Sequence, residues 1–261
     1  MKSVLYSDRT PLESINTRLF QDIDEIKSFI QNLLHSGIQL VEIIRITDDN
    51  TFKLCKEILE EDYIISEHQR LVILIPEKIK SELFMQTIEF LKSYNKNNCL
   101  IMVDFLTSQY LLTYRKDIPI LQKNLEWGIQ LDVSHPKHMK IVKDIDDIFP
   151  LDYLFINSRN STRFYNSIKT QLALFQKYDI SAKKLLFCSN SEGFAIPNYL
   201  LLLDYQWLDG FRFSSFQNIS IDKFIKATCN NNYTIKDTLK TDIIQANELL
   251  FKHFEMIARD E

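Results

Sequence analysis

Eight short apolar segments recur along this chain at intervals of about 30 residues, the length of one strand followed by one helix. Each segment is rich in valine, isoleucine, leucine, phenylalanine or tyrosine. The segments are residues 3–7, 39–46, 71–75, 99–103, 129–133, 153–156, 184–188 and 207–213. Several are apolar at nearly every position, which is typical of strands buried on both faces in a parallel sheet.

Between these strands the apolar residues follow the spacing of helices. One-sided apolar spacing occurs at residues 23–34, 84–91, 141–149 and 164–175. We predict helices over residues 84–94 and 161–178, and a helix on either side of Pro119 within residues 105–125, because proline ends or kinks a helix. Strand and helix therefore alternate along the chain.

Eight consecutive strand and helix units predict an α/β fold, the (β/α)8 or TIM barrel. Two further helices are predicted after the eighth strand, at residues 221–226 and 239–257. We therefore expect a single domain, with the barrel over about residues 1–228 and a C-terminal helical extension over about residues 234–258.

The charge pattern excludes several classes of partner. The 31 basic and 35 acidic residues are scattered and give a net charge of −4, so we expect neither nucleic-acid nor membrane binding. Asp8 and Arg9 stand where a secretory signal would need its apolar core. The four cysteines form no CxxC pair, so a disulfide framework is not expected. These features predict a cytoplasmic protein.

Two regions resemble the family of HMG-CoA lyase and the homocitrate, isopropylmalate and citramalate synthases, also called the pyruvate carboxyltransferase family. Residues 4–14 read VLYSDRTPLES and residues 33–43 read LLHSGIQLVEI. The family opens with a strand ending in Asp-Thr-Thr-Leu-Arg-Asp-Gly and continues with Leu-x-x-x-Gly-Val-x-x-Ile-Glu. Residues 187–198, FCSNSEGFAIPN, and residues 208–210, LDG, resemble the family's His-x-His-Asn-Asp-x-Gly-Leu-Ala-x-x-Asn and Val-Asp-Gly elements. The resemblance covers the whole barrel in order.

The resemblance also implies which functions have changed. Family members hold a divalent metal with a first-strand aspartate and two seventh-strand histidines, and the metal polarises a substrate oxygen while a carbon–carbon bond is made or broken. Those positions here are Ser7, or Asp8 in a frame shifted by one, together with Phe187 and Ser189. Pro11 stands in the column of the catalytic arginine. We therefore predict a degenerate member with no metal ligand and no cofactor; divalent metal and acyl-CoA apply only if the family activity is retained.

Polar residues near the carboxyl ends of the strands are the candidates for a site, because active sites of this fold lie on the loops that follow the strands. Asp8, Arg9 and His135 are the catalytic candidates. The ligand-binding candidates are Arg45, Asp132, Asn157, Arg159, Asn190, Glu192 and Arg212. Several facing cations would suit a carboxylate or a phosphate. Arg212 is singled out because it lies between two phenylalanines in a segment whose composition predicts a buried strand. Charges are seldom buried unpaired, so Arg212 is expected to have a partner.

Three other interpretations of the polar and cysteine residues stay open. Asp132, His135 and His138 have a loose spacing that could form a relocated metal site, although His138 also suits the first turn of a solvated helix. Cys188 could be a nucleophile or an inert strand cysteine. Loop residues of any soluble barrel are polar, so each candidate could also be a solvated rim residue.

Three functional hypotheses follow. The first is a non-catalytic barrel that binds a small anionic metabolite, or that forms a homodimer or a heteromer with an active paralogue as a regulatory subunit. The second is an active acyltransferase or aldolase of the homocitrate and isopropylmalate synthase type with altered chemistry. The third is a degenerate cyclic-di-GMP phosphodiesterase barrel, which residues 127–134, 150–157 and 209–214 resemble.

Overall fold

The computed structural model describes residues 5–17, 22–76, 79–94, 98–104, 125–132, 137–148, 150–158, 177–188 and 207–213. Eight strands form a closed barrel in sequence order, and every neighbouring pair is parallel. They are β1 (Leu5–Asp8), β2 (Leu40–Arg45), β3 (Arg70–Ile75), β4 (Cys99–Asp104), β5 (Glu126–Asp132), β6 (Tyr153–Ser158), β7 (Lys183–Cys188) and β8 (Gly210–Phe213). The predicted (β/α)8 barrel is confirmed.

Each predicted strand overlaps an observed one, and no end differs by more than three residues. The largest differences are at β5, which begins at Glu126 instead of residue 129, and at β8, which begins at Gly210 instead of residue 207. Apolar composition locates a strand but does not mark where its ladder hydrogen bonds begin. The carboxyl ends of most strands extend into polar residues, and this extension matters for the site.

Five helices lie within the described residues: α1 (Thr10–Thr17), α2 (Ile23–His35), α3 (Asp49–Leu59), α4 (Ser81–Ser93) and α5 (Lys137–Ile148). The helices expected from residues 23–34, 84–94 and 141–149 are confirmed as α2, α4 and α5. The sequence reading missed α1 and α3. Most of the predicted helices within residues 105–125 and 161–178, and the C-terminal extension, lie outside the described residues; residues 125, 177 and 178, which are described, are not helical. Every helix that the structure describes is too short or too polar to cross a bilayer.

The turn between α2 and β2 places the second strand. Gly37 follows the helix with a φ of 86°, in the left-handed region that glycine adopts without strain. The Gly37 amide donates to the carbonyl of Leu34, and the Ile38 amide donates to that of Leu33. This Schellman arrangement satisfies the last helix carbonyls and brings Ile38 against Leu33 in the core.

The strands divide the core into two layers, because successive residues of a strand face opposite sides of the sheet. One layer lies between the sheet and the helices and contains residues such as Val41, Ile73 and Ile129. The other fills the barrel and contains Leu12, Leu40, Val72, Leu74, Leu100, Met102, Tyr153, Phe155 and Leu185. Leu12 belongs to α1, which follows the carboxyl end of β1, so α1 covers part of that end of the barrel.

Candidate functional site

Buried polar side chains form a layer inside the carboxyl end of the barrel. Register determines which residues enter it, because paired residues of neighbouring parallel strands face the same side of the sheet. Arg212 pairs with Ser7 on one side and with position 187 on the other, and Asn157 pairs with position 187 in turn. Gln130 pairs with Phe155, which packs in the barrel interior. Glu42 of β2, which bonds to both Ser7 and Arg212, joins them, so five strands place polar residues in one layer.

Arg212 and Glu42 form the centre of this layer. Arg212 Nε donates to Glu42 Oε1 at 2.5 Å, and Nη2 donates to Oε2 at 2.6 Å, so the ion pair is bidentate. Ser7 Oγ donates to the same Glu42 Oε1 at 2.9 Å. All three side chains are fully buried. A paired geometry of this kind is the most favourable way for a carboxylate to hold a guanidinium away from water.

Two amide side chains also bind Arg212. Its Nη1 donates to Gln130 Oε1 at 2.6 Å and to Asn157 Oδ1 at 3.0 Å. Gln130 Nε2 donates onward to Asp104 Oδ1 at 2.7 Å, near the end of β4. The Arg212 guanidinium carbon lies 5.4 Å from the centre of the Phe155 ring. Carboxylate, amides and aromatic face together enclose the guanidinium.

The charge state of Glu42 follows from these contacts. Burial alone would raise the pKa of its carboxyl, but the charge of Arg212 and the hydrogen bonds from Arg212 outweigh burial, with further help from Arg9 and Ser7. The pKa of Glu42 therefore lies below its usual range, and Glu42 is ionised at neutral pH. The centre of the barrel holds one full negative and one full positive charge.

Asp8 lies on the opposite face of the sheet. It pairs with Val41, which packs in the layer between strands and helices, and its Oδ1 accepts a hydrogen bond from the Thr10 amide at 2.7 Å. Complete burial raises the pKa of Asp8 to about 7, although the bonds from Thr10 oppose the shift and the charges of Glu42 and Glu13 add to it. Ser7, not Asp8, is therefore the first-strand residue inside the barrel.

Asp8 should make the stability of the protein depend on pH. Its carboxyl has a pKa of about 7 in the folded protein and about 3.9 when unfolded, so the folded state binds the extra proton between these values. The free energy of unfolding should fall as the pH rises from about 4 to about 7, by up to about 4 kcal/mol from this group.

Urea unfolding of an Asp8→Asn variant across this pH range tests the expectation. The substituted side chain carries no charge at any of these pH values. The variant should therefore lose this part of the pH dependence of its stability and become more stable than the parent above neutral pH. Asp144→Asn, at an exposed position of α5, is the control and should leave the profile unchanged. Parallel profiles for Asp8→Asn and the parent would contradict the assignment.

Arg9 and Arg45 bring two further cations to this end of the barrel. Arg9 Nε lies 2.8 Å from Glu13 Oε1 on the next turn of α1, and its side chain is only 11% exposed. Burial lowers the pKa of Arg9, and the nearby charges of Arg212 and Arg45 lower it further. Arg45 pairs in register with Leu74, an interior residue, and is half-buried. Its Nε is buried and has no hydrogen-bond partner among the described residues.

The structure places the predicted site residues in two groups. Asp8, Arg9, Arg45, Asn157 and Arg212 lie together at the carboxyl ends of β1, β2, β6 and β8, and the backbone of Asp132 ends β5. His135, Arg159, Asn190 and Glu192 lie outside the described residues. The functional roles assigned to all of them stay predictions.

One part of the expectation is wrong. The predicted strands at residues 3–7 and 153–156 end just before Asp8 and Asn157, but these two residues belong to β1 and β6; Arg45, Asp132 and Arg212 lie in strands, as the segments 39–46, 129–133 and 207–213 predict. Polar residues can end these strands because several of them, such as Asn157 and Arg212, hydrogen-bond to one another in the buried layer there.

The sequence reading missed Glu42 and Gln130. Glu42 is the one acidic residue of an otherwise apolar segment, residues 40–44, and it stands in the column of the glutamate that ends the family's Leu-x-x-x-Gly-Val-x-x-Ile-Glu element. A carboxylate within an apolar segment indicates a buried charge, and a buried carboxylate requires a cation nearby, so the sequence pattern points to Glu42 as a site residue. Gln130 carried no comparable signal, because a neutral amide in a strand is common.

The residues do not fit the divalent metal that the resemblance implies. Ser7 occupies an interior first-strand position, and position 187, which pairs in register with Asn157 and Arg212, is a phenylalanine. The oxygens that could replace these ligands, those of Glu42, Gln130 and Asn157, already accept hydrogen bonds from Arg212. Within the described ranges no group of three potential metal-binding side chains occurs.

Comparison with solved structures shows that the fold is similar to that of (β/α)8 barrels, HMG-CoA lyases among them. The HMG-CoA lyase from Bacillus subtilis superimposes with a TM-score of 0.65 at 13% identity, over 98% of this chain and 94% of that one. The HMG-CoA lyase from Brucella melitensis gives a TM-score of 0.64 at 10% identity, over 82% of each chain.

Tryptophan synthase from M. tuberculosis gives a TM-score of 0.57 at 9% identity, over 96% of this chain and 92% of that one. No protein-family model and no curated protein sequence matches the chain. At such identities the likeness establishes the fold, and the chemistry depends on the side chains described above.

Proposed function

We propose that this chain is a degenerate barrel of the HMG-CoA lyase fold that has lost the metal-dependent carbon–carbon chemistry and acts as a binding or regulatory subunit. The proposal rests on the hydrogen bonds of Arg212. Its guanidinium donates to the oxygens of Glu42, Gln130 and Asn157 at the centre of the barrel, so these oxygens are not available to bind a metal. A guanidinium supplies no open coordination position, so it cannot polarise a substrate oxygen as a bound metal does.

The ligand that suits the site is a small molecule with a carboxylate or phosphate group. Arg45 faces the interior side, is open to solvent over part of its surface and has a buried Nε without a hydrogen bond among the described residues. Arg9 is close enough for the two charges to affect each other. An anion bound between them would offset that repulsion and supply the acceptor. The carboxyl of Asp8 has a pKa of about 7, so below neutral pH it is mostly protonated and opposes the binding of an anion little.

Elemental analysis and a thermal-shift screen test the two halves of the proposal. Protein purified with excess Mg²⁺, Mn²⁺ or Zn²⁺ and then dialysed should retain no stoichiometric metal. The screen should contain inorganic phosphate, short keto acids and dicarboxylates, acyl-CoA and cyclic dinucleotides, and one of the small anions should raise the Tm because it binds only the folded state.

Two variants test whether a rise in Tm comes from binding at Arg45. Arg45→Gln should abolish it, whereas Lys140→Gln, which removes a positive charge from an exposed position of α5, should leave it intact. Stoichiometric metal, or cleavage of an acyl-CoA substrate by the metal-loaded protein, would overturn the loss of the family chemistry. A shift confined to cyclic dinucleotides would favour the phosphodiesterase-like alternative. Association with itself or with a paralogue stays a prediction.

A further inference from the structure

We infer that Arg212 is the resident cation of this barrel, held in a guanidinium-specific site that the protein builds from four strands. Glu42 on β2, Gln130 on β5 and Asn157 on β6 converge on the side chain that β8 supplies. The inference rests on the metal-independent half of the proposed function and not on the anionic ligand.

The geometry matches a planar fork of donors. The two oxygens of Glu42 meet the Nε and Nη2 edge, at 2.5 and 2.6 Å, and the two amide oxygens meet Nη1. The Phe155 ring lies 5.4 Å from the guanidinium carbon, within the range of a cation–π contact. An ammonium ion or a hydrated metal ion has neither the planar shape nor the edge-on donors that this set of acceptors requires.

The amide orientations are set by the same requirement. A guanidinium has only donors, so Gln130 and Asn157 must turn their oxygens toward it. Gln130 can do so because its amide nitrogen donates to Asp104 at 2.7 Å, which carries the network toward the carboxyl end of β4. Ser7 donates to Glu42 Oε1, the oxygen that also accepts from Arg212 Nε. Hydrogen bonds from Ser7 and to Asp104 therefore help to orient the acceptors toward the guanidinium.

The ion pair between Arg212 and Glu42 differs from a surface ion pair because it is fully enclosed. Arg212, Glu42 and Ser7 are fully buried, and Leu12 of α1 packs into the interior cluster from the carboxyl end. Truncating Arg212 to alanine would leave a cage with one net negative charge and acceptors for a planar cation. The removed atoms correspond to ethylguanidinium, which is the probe for the site.

Chemical rescue of Arg212→Ala tests the inference. The variant should unfold at a lower Tm than the parent, and ethylguanidinium at ten times its Kd should raise that Tm by about 3–5 °C. Sodium chloride, urea or Mg²⁺ at equal concentration should give no such rise. The parent protein should show no increase with ethylguanidinium. A rise no larger than that with sodium chloride, or a larger one with Mg²⁺, would overturn the inference.

Two measurements keep the test decisive if Arg212→Ala does not fold. The first is refolding of the variant with ethylguanidinium, which should restore near-ultraviolet circular dichroism where sodium chloride does not. The second uses the unaltered protein: the Arg212 Nε–H signal in a ¹H–¹⁵N spectrum should be resolved and exchange with water far more slowly than that of an exposed arginine. Rapid exchange of Arg212 would contradict the enclosed site. Stoichiometric metal in the parent would instead contradict the proposed function.

Discussion

Replacement of Glu42 by glutamine should lower the free energy of unfolding by about 3–5 kcal/mol, because it leaves the charge of Arg212 buried without its counter-ion. The change preserves the size of the side chain and removes only the charge. Arg212 is fully buried, so water cannot take over from the carboxylate. Urea unfolding at neutral pH, followed by circular dichroism and fluorescence, gives the free energy directly.

The barrel contains its own control for this prediction. At the opposite end Arg70 Nη2 lies 2.8 Å from Glu126 Oε1, but the two side chains are 17% and 31% exposed. Glu126→Gln should cost about 1 kcal/mol or less, because water screens an accessible pair. Equal losses in the two variants would show that burial does not set the strength of the Glu42 pair.

A double variant separates the effect of charge on stability from the effect of side-chain volume. Glu42→Leu with Arg212→Met removes both charges and keeps apolar volume, so it should be more stable than Glu42→Gln. It should still fall below the parent, because Gln130 and Asn157 lose their donor. A double variant less stable than the single one would contradict an ion pair as the dominant interaction.

Gly210→Ala should lower the free energy of unfolding by about 3 kcal/mol, through overpacking where β8 meets β1. A Cβ at this position would lie 2.1 Å from the backbone oxygen of Leu5. Leu5 is the register partner of Gly210, so the oxygen cannot withdraw without moving the strand that closes the barrel. Heat unfolding should show a Tm lower by about 6–12 °C.

Gly128→Ala is the matched control for that substitution. A Cβ there would lie 2.7 Å from Phe155 Cε2, the far end of a ring that can turn aside. Its cost should therefore be smaller, about 1–2 kcal/mol. A loss as large as that of Gly210→Ala would show that the Phe155 ring is held as firmly as the backbone, in keeping with its place beneath Arg212.

Local pattern in the sequence was sufficient to predict the barrel. The eight strand segments and three helical faces, at residues 23–34, 84–94 and 141–149, were recognisable because burial of a regular element imposes its own period on the chain. α3 was missed although Asp48 and Thr51 form a capping box, with the Thr51 amide donating to Asp48 Oδ1 at 2.8 Å. α1 was missed because Asp8 and Arg9, which follow the predicted strand at residues 3–7, are expected from the sequence to begin a loop.

The candidate site was predictable only in part. The position of Arg212 between two phenylalanines showed from the sequence that a buried cation needed a partner. That partner, Glu42, lies 170 residues earlier in the chain, and only closure of β8 on β1 and β2 brings the two together. No local pattern encodes a distance of that kind.

The sequence by itself determined the number of strands and their order along the chain and singled out Arg212, because these follow from the chemistry of short segments. The tertiary structure alone decided which side each polar residue faces. Ser7 and Asp8 are neighbours in the chain, yet one donates to Glu42 inside the barrel and the other binds the Thr10 amide on the outer face. The side-chain period of a strand is two, so a register difference of one residue exchanges the two faces. Register is set by pairing between strands, which lies beyond any local reading of the chain.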